Sequence, residues 1–138
     1  MNTHLFILTG ASRGMGLAMA EQLLAAQHQL LGISRHLNAE LAEAASLKSC
    51  RLDQWALDLS EPQAVADQLA NWLRASKPGT WQSATLINNA ALIPLIAPLS
   101  ASCAAELTRA LRVGLEAPML LTAAFLAATE ALQIPRKV

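Results

Sequence analysis

The stretch Thr9-Gly10-Ala11-Ser12-Arg13-Gly14-Met15-Gly16 lies between an apolar run and a helical pattern, and it constrains this chain more than any other feature. Leu5-Phe6-Ile7-Leu8 before it reads as a short buried strand, and Met15 to Leu24 after it as the start of a helix. A glycine-rich turn between a strand and a helix N-terminus holds phosphate, because turn amides and the helix dipole both point at the anion. Glycine at the corner permits positive φ, and glycine near the helix start lets backbone approach backbone or ligand. Three residues separate the first two glycines. That spacing differs from the GxGxxG fingerprint, and the stretch lacks the Gly-Lys-Ser/Thr ending of an ATP-binding loop.

The rest of the chain alternates apolar runs with helical patterns, which predicts an α/β fold with a parallel, doubly wound sheet. Strands are expected at His4–Leu8, Leu30–Ser34, Gln54–Leu57 and Thr85–Asn88. Helices are expected at Gly14–Ala26, Ala39–Leu47, from Ser60 to about Ser76, at Ser102–Arg112 and at Leu115–Leu132. Ser60 reads as the cap of the third helix, with Pro62 in its first turn and Gln63 three residues after the cap. Lys77-Pro78-Gly79 reads as its stop, and Ile134 to Val138 as the approach to another strand.

Length and composition narrow the function. At 138 residues the chain is one domain or part of one, here a single unit over 1–138. Hydrophobic residues make up 54% and charged residues 14%, a generous apolar share for a small self-contained domain. A net charge of zero argues against nucleic acid or an anionic membrane as partner. No apolar run reads as a bilayer span. The longest, Ala117 to Ala128, starts with Pro118 nearby and carries Thr122, so a buried helix is expected. Cys50 and Cys103 share no metal spacing, and nothing at the N-terminus reads as a secretion signal, so reduced thiols and a cytoplasmic location are expected. His4, His28 and His36 show no ligand spacing either, and no metal is expected.

The loop Thr9 to Gly16 resembles the cofactor loop of the short-chain dehydrogenase/reductase family, whose fold is a Rossmann-type sheet. Three further stretches are similar to that family. Asp58-Leu59 resembles its Asp-Leu or Asp-Val pair, where the Asp holds the adenine edge. Asn88-Asn89-Ala90-Ala91 resembles its Asn-Asn-Ala-Gly, with Ala91 in place of the glycine, and the following Leu92 to Leu99 is similar to the sepiapterin-reductase and benzil-reductase branch. Leu111 to Thr122 resembles a family helix that carries an Asn after the Val, where this chain has Gly114. The resemblance implies strand order 3-2-1-4, and NADP(H) held by Gly10, Ser12, Arg13, Gly14, Met15, Gly16, Ser34, Arg35, Asp58, Leu59, Asn88, Asn89 and Ala90.

The choice of NADP(H) rests on charge. Dinucleotide folds that prefer NAD place an acid about 20 residues past the loop, on the ribose 2′-OH. Here that place reads Ser34-Arg35, and a guanidinium suits a 2′-phosphate, with Arg13 as a second cation. The family continues with a further strand, a catalytic Ser and a Tyr-x-x-x-Lys pair. This chain has no tyrosine, so no catalytic residue is assigned. The expectation is the cofactor-binding half of a carbonyl or alcohol oxidoreductase, truncated after the helix that follows strand four and inactive alone. Small carbonyl or alcohol substrates would belong to a full-length form. Without strand five, strand four would be an open edge, and self-association is expected. A complete, non-enzymatic nucleotide-binding or interaction module is the alternative. A methyltransferase using S-adenosylmethionine is disfavoured by the missing acid at Ser34-Arg35.

Overall fold

The computed structural model describes residues 3–76 and 78–138. Its strands are β1 (Thr3–Thr9), β2 (His28–Ser34), β3 (Arg51–Ala56), β4 (Trp81–Ile87) and β5 (Arg136–Lys137), and its helices are α1 (Gly14–Leu23), α2 (Ala39–Leu47), α3 (Pro62–Ala75), α4 (Ala104–Leu111) and α5 (Ala117–Thr129). The strands form one parallel sheet in the order β3-β2-β1-β4-β5. β1 lies at its centre, with Leu8 opposite Gly32 of β2 and Ile87 of β4. Parallel strands covered on both faces carry continuous apolar runs, and Leu30, Leu31 and Ile33 of β2 are fully buried.

Alternate side chains divide the core into two layers. Leu5, Ile7, Leu31, Ile33 and Leu86 face α3 and α5, where they meet Leu69, Leu73, Leu121 and Phe125. Leu8 and Leu30 face α1 and α2, where they meet Ala20, Leu24, Leu41, Ala45 and the buried thiol of Cys50. Trp72 of α3 stacks on Trp81 and meets Trp55 edge-on, closing the first layer at its rim.

Several boundaries differ from the sequence reading. α1 ends at Leu23 rather than Ala26, because His28 bonds the Leu23 carbonyl through Nδ1 at 2.6 Å and its own amide donates to Ala25 in a tight turn. β3 begins at Arg51, three residues early. It pairs only with β2 and its residues are exposed or half-buried, so it carries no apolar run to read. Ser60 does not cap α3. The Asp58 side chain takes its amide in a turn at 2.9 Å, Glu61 occupies the cap position without a side-chain bond, and Gln63 turns to Asp67. Pro62 holds the first turn as expected. Of the stop at 77–79, Lys77 lies outside the described residues, and Pro78–Thr80 forms a short 3-10 turn.

Two differences bear on the second half. The helices expected at Ser102–Arg112 and Leu115–Leu132 join through a π-helical segment, Arg112–Glu116, into one helix over Ala104–Thr129. By length and composition alone this 26-residue helix is long and apolar enough to cross a membrane, a test that core helices also pass, and the continuous apolar run within it remains Ala117 to Ala128. Its burial is also one-sided. Ala117, Leu121, Phe125 and Thr129 are enclosed, while Leu111, Leu115 and Met119 stand 61%, 57% and 64% exposed. Strand four is not a fully open edge, since Ala84 and Thr85 pair with Arg136 and Lys137 of β5. The order is therefore 3-2-1-4-5, one strand beyond that expected.

Candidate functional site

At the carboxyl ends of β1, β2, β3 and β4 the chain encloses a cleft of about 360 Å³. Open α/β sheets bind ligands at this end, where strand order reverses about the first strand. The floor is the glycine loop. Gly10 has φ +71° and Gly14 φ +57°, conformations that L side chains rarely adopt. Gly16 is required for space instead: a Cβ there would overlap the Gly10 carbonyl and crowd the Asn89 side chain. α1 then starts with an extended Arg13 at its cap position, no side-chain cap and no acid in its first turn. Its first amides and positive dipole end are left for an anion.

Neighbouring strands clamp the loop. Thr9 is buried, and its hydroxyl accepts from the amides of Asn89 and Ala90, each at 3.0 Å. Asn89 Nδ2 donates to the Thr9 carbonyl at 3.1 Å and to the Gly10 carbonyl at 3.4 Å. From the other side Asn38 donates to the Ser12 carbonyl at 3.1 Å while capping α2 through the Leu41 amide. Gln54 brackets the Asn38 backbone, accepting from its amide and donating to its carbonyl.

Every residue predicted for the site except Asn88 lines this cleft. Asn88 points away, donating to Thr122 Oγ1 of α5 at 3.2 Å, so it ties β4 to the helix layer. Ser34 and Arg35 form the wall after β2. Ser34 Oγ is buried without a hydrogen-bond partner, a costly state that a ligand oxygen would relieve. Beside them, after the neighbouring strand β3, stand Asp58 and Leu59, with the Leu57 amide donating to the Ser34 carbonyl at 2.8 Å. Asp58 Oδ1 accepts from the Ser60 amide at 2.9 Å, and Oδ2 lies 3.4 Å from Arg109 Nη2. The Ser60 amide foremost, then the Ser60 hydroxyl and the charges of Arg109 and Arg35, hold the Asp58 carboxyl below the usual aspartate range.

Sequence reasoning missed Ile33, His36, Leu57, Ala91, Leu92, Arg109 and Val113, which also line the cleft. Ala91 and Leu92 continue a recognised motif and could have been included. Arg109 is 51 residues from its partner Asp58, and no local signal marks it. Gly114 lies in the π segment with open space where a Cβ would be, outside the cleft lining. Among the described residues no group of three or more His, Cys, Asp or Glu could hold a metal ion.

The residues present fit a phosphorylated dinucleotide. A helix N-terminus behind two positive-φ glycines suits a pyrophosphate, the buried Ser34 hydroxyl with Arg35 suits a 2′-phosphate, and Asp58 suits an amino donor.

Residues 4–133 match the short chain dehydrogenase family. A benzil reductase ((S)-benzoin forming) from Bacillus cereus is 29% identical over 132 residues, covering 96% of this chain and 53% of the relative. A crystal structure of a short-chain dehydrogenase/reductase from Burkholderia vietnamiensis superposes with a TM-score of 0.83 at 37% identity, over 97% of this chain and 63% of that one. A metagenomic short-chain oxidoreductase in complex with NADP gives 0.82 at 27% identity, over 97% and 59%. The chain thus spans about half the length of the curated relatives it matches.

Proposed function

Because the chain belongs to the short chain dehydrogenase family, we propose that it is the NADP(H)-binding part of a carbonyl or alcohol oxidoreductase of the benzil-reductase branch, and that these 138 residues bind the cofactor without turning over substrate. The observation that carries the reading is Ser34 Oγ, buried and unpartnered beside Arg35 in the cleft that also holds the N-terminus of α1. A 2′-phosphate supplies the partner that this hydroxyl lacks. The NADP-bound metagenomic relative supports the same choice. Free thiols at Cys50 and Cys103 suit the reducing cytoplasm in which such a protein would work.

When bound, the cofactor supplies hydride. The protein's own task at a carbonyl is a proton donor placed by the oxygen. The family resemblance gives that role to a Tyr-x-x-x-Lys pair, and this chain has no tyrosine. The name of the Bacillus cereus relative makes aromatic diketones the first substrates to assay.

Calorimetric titration tests the cofactor reading. NADPH should bind about tenfold to a hundredfold more tightly than NADH, the worth of one guanidinium–phosphate contact. R35A should abolish most of that preference. Equal affinities for the two cofactors, or an unchanged preference in R35A, would refute the assignment. In the same preparations NADPH oxidation with benzil should stay at the blank rate. Turnover that follows the protein through purification would show a proton donor other than tyrosine.

A further inference from the structure

α4 buries no residue, yet one of its side chains crosses to the cleft wall. Arg109 Nη2 lies 3.4 Å from Asp58 Oδ2, and both residues line the cleft. Ser60 has already taken Oδ1 of that carboxylate through its amide. The two contacts together define which way Asp58 presents its remaining lone pairs. An ionised carboxylate is acceptor-only, and each oxygen can accept more than once, so Oδ2 can serve Arg109 and a ligand together. A purine 6-amino group donates to such an oxygen, whereas a 6-oxo group offers no hydrogen at that position and leaves only the N1–H of its lactam, displaced by one ring atom, as a donor.

We propose that Arg109 is a positioning residue that fixes the Asp58 carboxylate toward the purine edge of the bound dinucleotide, and thereby sets selectivity for a 6-amino over a 6-oxo purine. The assignment rests on the dinucleotide reading of the cleft. It assigns Arg109 no contact with the ligand. Arg109 and Asp58 have side chains 47% and 43% exposed, and a pair this open contributes little to folding stability, so its loss should leave the fold intact. What the pair governs is orientation. Without Arg109, Asp58 keeps its bond to Ser60 but is free to swing Oδ2 toward water.

The experiment compares dissociation constants for NADPH and for reduced nicotinamide hypoxanthine dinucleotide phosphate, which differ in the purine 6-substituent and in the proton that the 6-oxo form carries on N1. NADH serves as a control for the far end of the adenosine. The unaltered chain should favour NADPH over the hypoxanthine form about tenfold, the worth of one hydrogen bond to a charged group. In R109Q that ratio should fall below about threefold, with the NADPH-over-NADH ratio and the melting temperature unchanged, and R109K should restore most of it. An R109Q chain that keeps the full amino-over-oxo ratio overturns the assignment. Tighter NADPH binding in R109Q also overturns it, by showing that Arg109 competes for the carboxylate. If the unaltered chain binds none of the three dinucleotides, the cofactor reading fails and this assignment falls with it. An unchanged ratio with normal NADPH binding removes the role of Arg109 alone.

Discussion

At the floor of the cleft, Thr9, Asn89, Asn38 and Gln54 engage the polar groups of three loops, and Gly16 leaves no room for one more carbon. On the outer side of α4 and α5 the opposite holds. Leu111, Leu115 and Met119 face outward, and beside them Ile93, Leu95, Ile96 and Leu99 are each more than 70% exposed. One region ties its loops together within the chain and leaves open only the groups that face a ligand, Ser34 Oγ and the first amides of α1, while the other ends in apolar surface that finds no cover among the described residues. The difference shows where each kind of constraint acts. In the cleft the backbone dictates the residue, through φ or through contact. On the outer helix face only hydrophobicity is specified, and the surface that would cover it is a separate matter.

The same substitution in both regions gives the sharpest contrast. Gly16→Ala forces a Cβ into the Gly10 carbonyl, so we expect a loss of roughly 1–3 kcal/mol in stability and of measurable NADPH binding. Gly114→Ala meets nothing within 4 Å in a helical segment, so a gain of roughly 0.5–1 kcal/mol is expected. Urea unfolding followed by tryptophan fluorescence measures both. Equal effects at the two positions would erase the distinction.

A smaller effect concerns the outer face alone. We expect the chain to self-associate through it, and L115K with M119K to shift the assembly toward monomer while NADPH affinity stays within about twofold. Light scattering over a dilution series decides this. A concentration-independent monomer in the unaltered chain would mean that the exposed leucines need no partner.

The smallest expected effect is acid sensitivity in the cleft wall. Asp58 has a folded-state pKa below its ordinary value, so its contribution to stability is present above that ordinary value, near pH 4. It is lost as pH falls through the lower, folded value. D58N should therefore flatten the acid limb of the stability curve slightly and leave the neutral region unchanged. An equally steep acid limb in D58N would assign that limb to other carboxylates.

Legibility in the sequence follows the same division. The glycine loop, Asp58-Leu59 and Asn89-Ala90 could be read because backbone requirements confine those positions to few residue types. The central strands were legible as apolar runs, whereas the first three residues of the edge strand β3 and the first half of β4 were not. Arg109 was invisible because its partner is distant in sequence. The helices expected at Ser102–Arg112 and Leu115–Leu132 left Val113 and Gly114 between them, and a π segment over Arg112–Glu116 carries the helix across that gap, with Pro118 in the first turn of α5. Asn88 was assigned to the cleft by its neighbour's role, but alternation along the chain sends it to Thr122.

The Thr9–Asn89 clamp also dates the cleft within the folding reaction. Its partners are 80 residues apart, while the strand pair β1–β2 and helix α1 need only the first third of the chain. Closing so long a loop waits on β4 docking beside β1, and contacts of that span form late. A chain emerging from the ribosome would therefore display its glycine loop well before the loop acquires a fixed shape. Cofactor capture would then be a timer for completion of the β1–β4 pairing.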